Sequence, residues 1–200
     1  MRIIAGARRG KKLFQKIDET TRPTTDRVRE SVFNVLSNLI DIRGTKVLDL
    51  FAGCGAYGLE SYSRGAEEII FNDSDRKACD VIRLNCKSVG CDAVSLRGAF
   101  AEQSGRSNPY PDKSVISNLD FRAALENLKN QRFDIIFLDP PYASDFAMQA
   151  LDVIQKQNML AENGVIVIET ERELPIKFTR VKRYGRALLY FLGHSSQLPQ

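Results

Sequence analysis

The sequence predicts an α/β fold: a mostly parallel sheet with helices on both faces and antiparallel strands at its end. Three observations predict it. From Lys46 onward, short apolar runs alternate with helical segments, the pattern of parallel strands joined by crossover helices. A glycine-rich turn, Gly53-Cys54-Gly55-Ala56-Tyr57-Gly58, directly follows the first of these runs. Near the end, two strand-like runs flank Gly185, which signals a hairpin.

Taken in order, residues 2–5 and 11–17 read as short strands around the Gly/Arg-rich turn from Gly6 to Gly10. Thr20–Asp26 carries helix-start signals: a proline, hydroxyl residues, then an acid. A helix follows, with Val28, Val32, Val35, Leu36, Leu39 and Ile40 on one face. Strands are predicted at Val47–Leu50, Glu68–Phe71, Phe133–Leu138 and Val165–Glu169, and helices near 56–64, 75–88, 120–130 and 144–158. The strand before the 120–130 helix is either Val94–Arg97 or Val115–Ser117, with the second favoured. Residues 98–114 show no period, and long loops of this kind are commonly functional or disordered. Phe178–Tyr184 and Ala187–Leu192 form the closing hairpin.

Two hundred residues suggest one domain with at most a small appendage. The 43% apolar and 27% charged content is that of a soluble globular protein. No apolar run approaches the roughly 18 residues that span a bilayer, and Met1–Ala5 does not read as a signal peptide. A cytoplasmic protein is expected. The net charge of +4 is uneven: residues 1–30 hold nine Lys/Arg against four acids, +5, leaving −1 for the remainder. A localised basic segment is the footprint of a polyanion binder, and equally of a solvated surface. Cys54, Cys79, Cys86 and Cys91 form no C-x-x-C pair, and His194 is the single histidine. No metal site and no Cys–His nucleophile are expected; free thiols are.

Two motifs carry chemistry. Asp49 lies four residues before Gly53 in a G-x-G-x-x-G turn. The glycines permit close approach of a ligand to the backbone, but an acid at Asp49 would repel a pyrophosphate. A cationic ligand fits better, and S-adenosylmethionine has a sulfonium and an ammonium. Asp73, after the second strand, could accept hydrogen bonds from two ribose hydroxyls. Asp49 could alternatively be a capping residue, and Asp73 could cap the helix starting near Asp75. The second motif, Asp139-Pro140-Pro141-Tyr142, follows the most apolar strand, where open α/β sheets place their sites. Prolines stiffen the backbone and remove donors, leaving carbonyls to accept. A carboxylate, a rigid Pro140 carbonyl and a ring that stacks on a planar base together suit an exocyclic amine. Alone, a Pro-Pro pair would mean only a rigid turn.

These residues resemble the RsmD family, S-adenosylmethionine-dependent methyltransferases of the N2 amine of one guanine in 16S ribosomal RNA. The resemblance runs almost end to end: Arg2–Gly6, Thr21-Arg22-Pro23-Thr24-Thr25-Asp26-Arg27-Val28-Arg29-Glu30, Asp49–Glu60, Ser63–Ala66 and Leu138–Tyr142. The glycine turn and Asp-Pro-Pro-Tyr are shared by many amino-methyltransferases, whereas the arginine-proline-threonine block is specific. The resemblance implies a Rossmann-like class I methyltransferase: a seven-stranded sheet with an antiparallel last strand (residues 44–195), preceded by a basic hairpin and helix (residues 1–43). It implies cofactor contacts at Asp49, Gly53, Gly55 and Asp73, with Phe51 and Ser74 beside them. The target amine would sit at Asp139, Pro140, Pro141 and Tyr142. The residue touching adenine would be Asn118 or Asp120. Cys54 and Tyr57 depart from the commoner Ser and Leu, and Tyr57 is expected to alter cofactor packing. Arg8, Arg9, Lys11, Lys12, Arg22, Arg27 and Arg29 are expected to hold RNA phosphates, with Arg172, Lys177, Arg180, Lys182, Arg183 and Arg186 as further candidates. The implied partner is 16S rRNA within a 30S subunit or assembly intermediate, and the implied state a monomer.

Rival readings are an amino-methyltransferase acting on adenine N6 in DNA or on another rRNA guanine, and a non-catalytic ribosome-assembly protein. The intact motifs disfavour the latter. A nicotinamide-dependent oxidoreductase is disfavoured by the position of Asp49 and the lack of a plausible proton donor.

Overall fold

The apolar runs pair into one sheet because each can bury both its faces only between helices. The structure, a computed structural model, describes residues 1–15, 26–95, 114–141, 144–176 and 180–193. Among these, the strands are β1 (Lys46–Asp49), β2 (Glu68–Asn72), β3 (Ala93–Ser95), β4 (Ser114–Ser117), β5 (Phe133–Leu138), β6 (Leu160–Thr170), β7 (Arg180–Tyr184) and β8 (Ala187–Gly193), in the spatial order β3-β4-β2-β1-β5-β6-β8-β7. β8 runs antiparallel to β6 and β7, and the remaining pairings are parallel. The expected seven-stranded arrangement with its antiparallel last strand is present. The three-residue β3 extends it by an eighth strand at one edge. Both candidate strands before the 120–130 helix therefore exist, and β4, from the favoured Val115 run, is the one that pairs with β2. The remainder of the aperiodic 98–114 stretch, up to residue 113, lies outside the described residues.

Helices α1 (Asp26–Leu36), α2 (Ala56–Ser63) and α3 (Arg76–Val89) cover one face, and α4 (Phe121–Asn127) and α5 (Phe146–Lys156) the other. Strand alternation divides the side chains accordingly. Val47, Phe71, Ile135, Phe137 and Val167 join the first core, and Leu48, Ile70, Ile136, Leu138 and Ile166 the second. No helix among the described residues is long and apolar enough to cross a membrane.

The N-terminal segment does not form its own core. Ile3 and Leu13, together with Val32, Phe33, Val35 and Leu36 of α1, sit in the same cluster as the first sheet face. The change at residues 43–44 is one of secondary structure, not of packing. Of the two short strands expected at 2–5 and 11–17, the described residues form a single antiparallel bridge, Arg2 with Lys12, and residues 16–17 lie outside the described residues. The reason is competition for donors: the amides of Ile4 and Ala5 donate to the two carboxylate oxygens of buried Glu60, at 2.8 and 3.0 Å.

Glu60 also corrects one expectation. Arg29 was expected on the RNA-facing surface, but its side chain is 0% exposed. Its guanidinium donates to the Arg2 carbonyl and to Asp26, and lies 3.9 Å from Glu60. A guanidinium enclosed in this way cannot reach a phosphate; it ties α1 and the hairpin to α2.

Candidate active site

In open α/β sheets, ligands bind outside the carboxyl ends of the strands where strand order reverses. Here β2 follows β1 on one side while β5 lies on the other. The register sets Asp49 level with Phe71 and with Phe137. Asp73 and Asp139 each come two residues later, so three carboxylates emerge around one reversal point.

Asp49 is 2% exposed and accepts from the Gly58 amide at 3.0 Å. It thus caps the first turn of α2 from a distance, as the capping alternative anticipated. Burial pushes its carboxyl up to about 7, and the nearby charge of Asp73 adds to this. A buried carboxylate with a backbone donor suits a cationic ligand, whose charge would favour the ionised form. Gly53 has φ +56, and a Cβ there would meet nothing within 4 Å; backbone conformation, not crowding, calls for glycine. Gly58 is the opposite case. A Cβ would stand 2.2 Å from Phe71 Cε1, so its absence lets α2 lie directly on β2. Gly55 is the left-handed residue at the N-terminus of α2. Burial first and Asp49 second push the Cys54 thiol up to about 11, which disfavours its thiolate. All four cysteines are free.

Asp73 accepts from the Gly53 amide through Oδ2 and from the Asp75 amide through Oδ1, both at 2.8 Å. The cap of α3 is Asp75, which accepts from the Lys77 amide. The Asn118 side chain donates to the carbonyls of Asp73 and Ser74, at 2.9 and 3.0 Å. Asp120 instead caps α4 and pairs with Arg122. The two candidates for an adenine contact are therefore differently employed: Asn118 joins the Asp73 loop, and Asp120 serves its helix. Phe51 packs 5.4 Å from Phe121. Sequence reasoning missed Asn72, a buried amide that donates to the carbonyls of Leu50 and Leu119 and so clamps the loops after β1 and β4.

Asp139 is half-buried, Pro140 buried and Pro141 exposed. The Pro141 carbonyl accepts from the amide and hydroxyl of Ser144, at 3.0 and 2.7 Å. A cleft of about 590 Å³ opens here, lined by Pro140, Pro141, Ser144, Thr170 and Arg172 among others. Tyr142 lies outside the described residues. Sequence reasoning also missed Glu169. The register pairing Phe137 with Val167 carries Asp139 and Glu169 to the same level. Glu169 is buried and accepts from the Tyr57 hydroxyl at 2.6 Å. The only sequence signal was an acid closing an apolar run.

Of the cations expected to hold phosphates, Arg9, Lys11, Lys12 and Arg27 are exposed. Arg8 is half-buried and its Nε donates to the Val89 carbonyl at 2.7 Å, anchoring the hairpin on the C-terminus of α3. Arg22 lies outside the described residues.

The chain matches the family described as "Conserved hypothetical protein 95" over residues 1–192. It is 36% identical to ribosomal RNA small subunit methyltransferase D of Haemophilus influenzae, covering 88% of this chain and 81% of that one. It is 32% identical to the Escherichia coli K12 protein of the same name, covering 86% and 76%. Among solved structures, the Escherichia coli protein yhhF superposes with a TM-score of 0.74 at 28% identity, covering 96% of each chain. The Thermus thermophilus 16S rRNA methyltransferase RsmC shares the fold at a TM-score of 0.60 and 21% identity, covering 86% of this chain and 44% of that one. With its sheet order and near end-to-end match, the chain belongs to the Conserved hypothetical protein 95 family, the RsmD-type rRNA small subunit methyltransferases, and has the class I S-adenosylmethionine-dependent methyltransferase fold.

Proposed function

We propose that this protein methylates the exocyclic N2 amine of a guanine in small-subunit ribosomal RNA, acting in the cytoplasm as a monomer on a 30S subunit or assembly intermediate. The observation that carries the reading is the register around β1. It gathers Asp49, Asp73 and Asp139 around the strand-order reversal; in this reading Asp49 and Asp73 serve the cofactor and Asp139 the acceptor. The names of the methyltransferase D relatives support the RNA class. The structural neighbour RsmC, described as an N2 methyltransferase solved with AdoMet and guanosine, supports the amine.

When bound, S-adenosylmethionine supplies an electrophilic methyl. The residues present fit it: Asp49 offers a buried anion to its positive end, Asp73 offers a carboxylate that can accept from the ribose hydroxyls, and Asn118 can accept from the adenine amine. The chain's own contribution is positioning. Asp139 and the Pro140 carbonyl accept from the two N2 hydrogens, which turns the nitrogen lone pair toward the methyl. Tyr142 stacks on the base. Once nitrogen carries the methyl it is acidic, and Asp139 takes or relays its proton, so no strong base is needed beforehand. The base must leave its stack to enter, by flipping or from an unpaired loop.

The test is methyl transfer from labelled cofactor to undermethylated 30S subunits, followed by mapping of the modified base. Wild type should label a guanine at N2, and Asp139→Ala should abolish transfer while binding the cofactor almost normally. Label on adenine, or normal turnover by Asp139→Ala, would overturn the assignment.

A further inference from the structure

Phe14 and Leu84 are the most exposed large apolar side chains among the described residues, at 59% and 55%. They belong to surfaces that meet. Asn85, next to Leu84 in α3, is completely buried, and its amide is spent on the segment carrying Phe14. Asn85 Oδ1 accepts from the Phe14 amide at 2.7 Å, and Nδ2 donates to the Phe14 carbonyl at 3.0 Å. The same Nδ2 donates to the Cys54 carbonyl in the glycine turn at 2.9 Å. A buried amide is costly unless satisfied, and here satisfying it fixes an exposed ring to the cofactor loop. The preceding residues, Lys11 and Lys12, are exposed cations, as is Arg9. On α3, Lys87 is also exposed, while Arg83 is paired with Asp80.

We propose that Phe14 is a stacking platform for an unpaired base of the RNA substrate. An exposed aromatic ring on a segment that also carries exposed cations is the combination that binds single-stranded nucleic acid: the ring takes a base face, and the cations take phosphates. Because Asn85 fixes the backbone in advance, little ordering cost remains on binding. The inference rests on the rRNA reading above and adds a specific contact to it.

The chain contains no tryptophan, so Phe14→Trp installs a single fluorophore at the site. Its emission should be quenched by an unpaired RNA oligonucleotide and much less by a duplex of the same sequence. Phe14→Ala and Phe14→Leu should both raise KM for undermethylated 30S subunits by about fivefold or more. Cofactor affinity and melting temperature should stay at wild-type values. Absence of quenching, or an unchanged KM in both variants, overturns the proposal. A raised KM for subunits without quenching by naked RNA also overturns it, because it would indicate a ribosomal protein contact. The wild-type assay separates the two readings. Quenching without rRNA methylation keeps the platform and removes the activity. Methylation indifferent to Phe14 does the reverse.

Discussion

Tyr57 and Glu169 are joined by a 2.6 Å hydrogen bond between two fully enclosed side chains, one from the helix that follows the cofactor loop and one from the strand beside Asp139. The Tyr57 ring stacks on Phe137 with centroids 4.7 Å apart and planes at 11°, two residues before Asp139. Burial, then the charges of Glu169 and Asp139, drive the phenol well above its usual range, so it remains a donor. Tyr57 thus links the helix after the glycine turn to the two strands that carry Asp139 and Glu169.

Tyr57→Phe keeps the stacked ring and deletes the donor to a buried carboxylate. The expected cost is about 1–3 kcal/mol of stability, measured by denaturant unfolding. A lower kcat with near-normal cofactor affinity should accompany it, since the change lies beneath Asp139.

Asp49 should show a conflict between stability and binding. Its folded-state value of about 7 lies above the ordinary 3.8. The native state therefore holds a proton that the unfolded chain has released, and stability falls as pH rises between the two values. Asp49→Asn can still accept from Gly58 and should raise stability at pH 8, by up to about 4 kcal/mol. Thermal unfolding across pH measures this.

The same group should set the pH dependence of cofactor binding. A cation needs the ionised carboxylate, so wild-type affinity should weaken as pH falls below about 7. Calorimetry near pH 7 should detect proton release on binding, as the cation pulls the carboxyl back toward its ordinary range. Asp49→Asn should bind weakly at every pH with no such release.

Arg29 and its surface neighbours should separate cleanly. Arg29→Ala removes a buried cation beside Glu60 and should cost about 3–5 kcal/mol, with faster proteolysis of the hairpin. Replacing exposed Arg9, Lys11 and Lys12 by Gln should leave the melting temperature unchanged. It should weaken RNA binding and reduce the salt slope by about two, given ~0.7 per phosphate contact on single strands. Unchanged RNA affinity in the triple variant would mean that the basic segment is only a solvated surface.

The amino-acid sequence by itself determined the alternation of strands and helices, the closing hairpin and the positions of Asp49, Asp73 and Asp139. Each of these is local: apolar period, a glycine turn, a carboxylate at a strand end. It did not reveal that an Arg inside the basic segment is buried, because burial depends on Glu60, 31 positions away in the chain, and a carboxylate that also takes two backbone amides is invisible to spacing. Nor did it reveal the two strands in place of one before α4, since a three-residue edge strand has too little pattern of its own. Tertiary structure alone decided which acids meet. Parallel register, set by packing on both sheet faces, levels Asp139 with Glu169 and turns Tyr57 toward them, while Asn118 rather than Asp120 joins the Asp73 loop. Those choices follow from burial, which favours structures in which most enclosed polar groups find a partner, and partners distant in the chain become neighbours only once the sheet has formed.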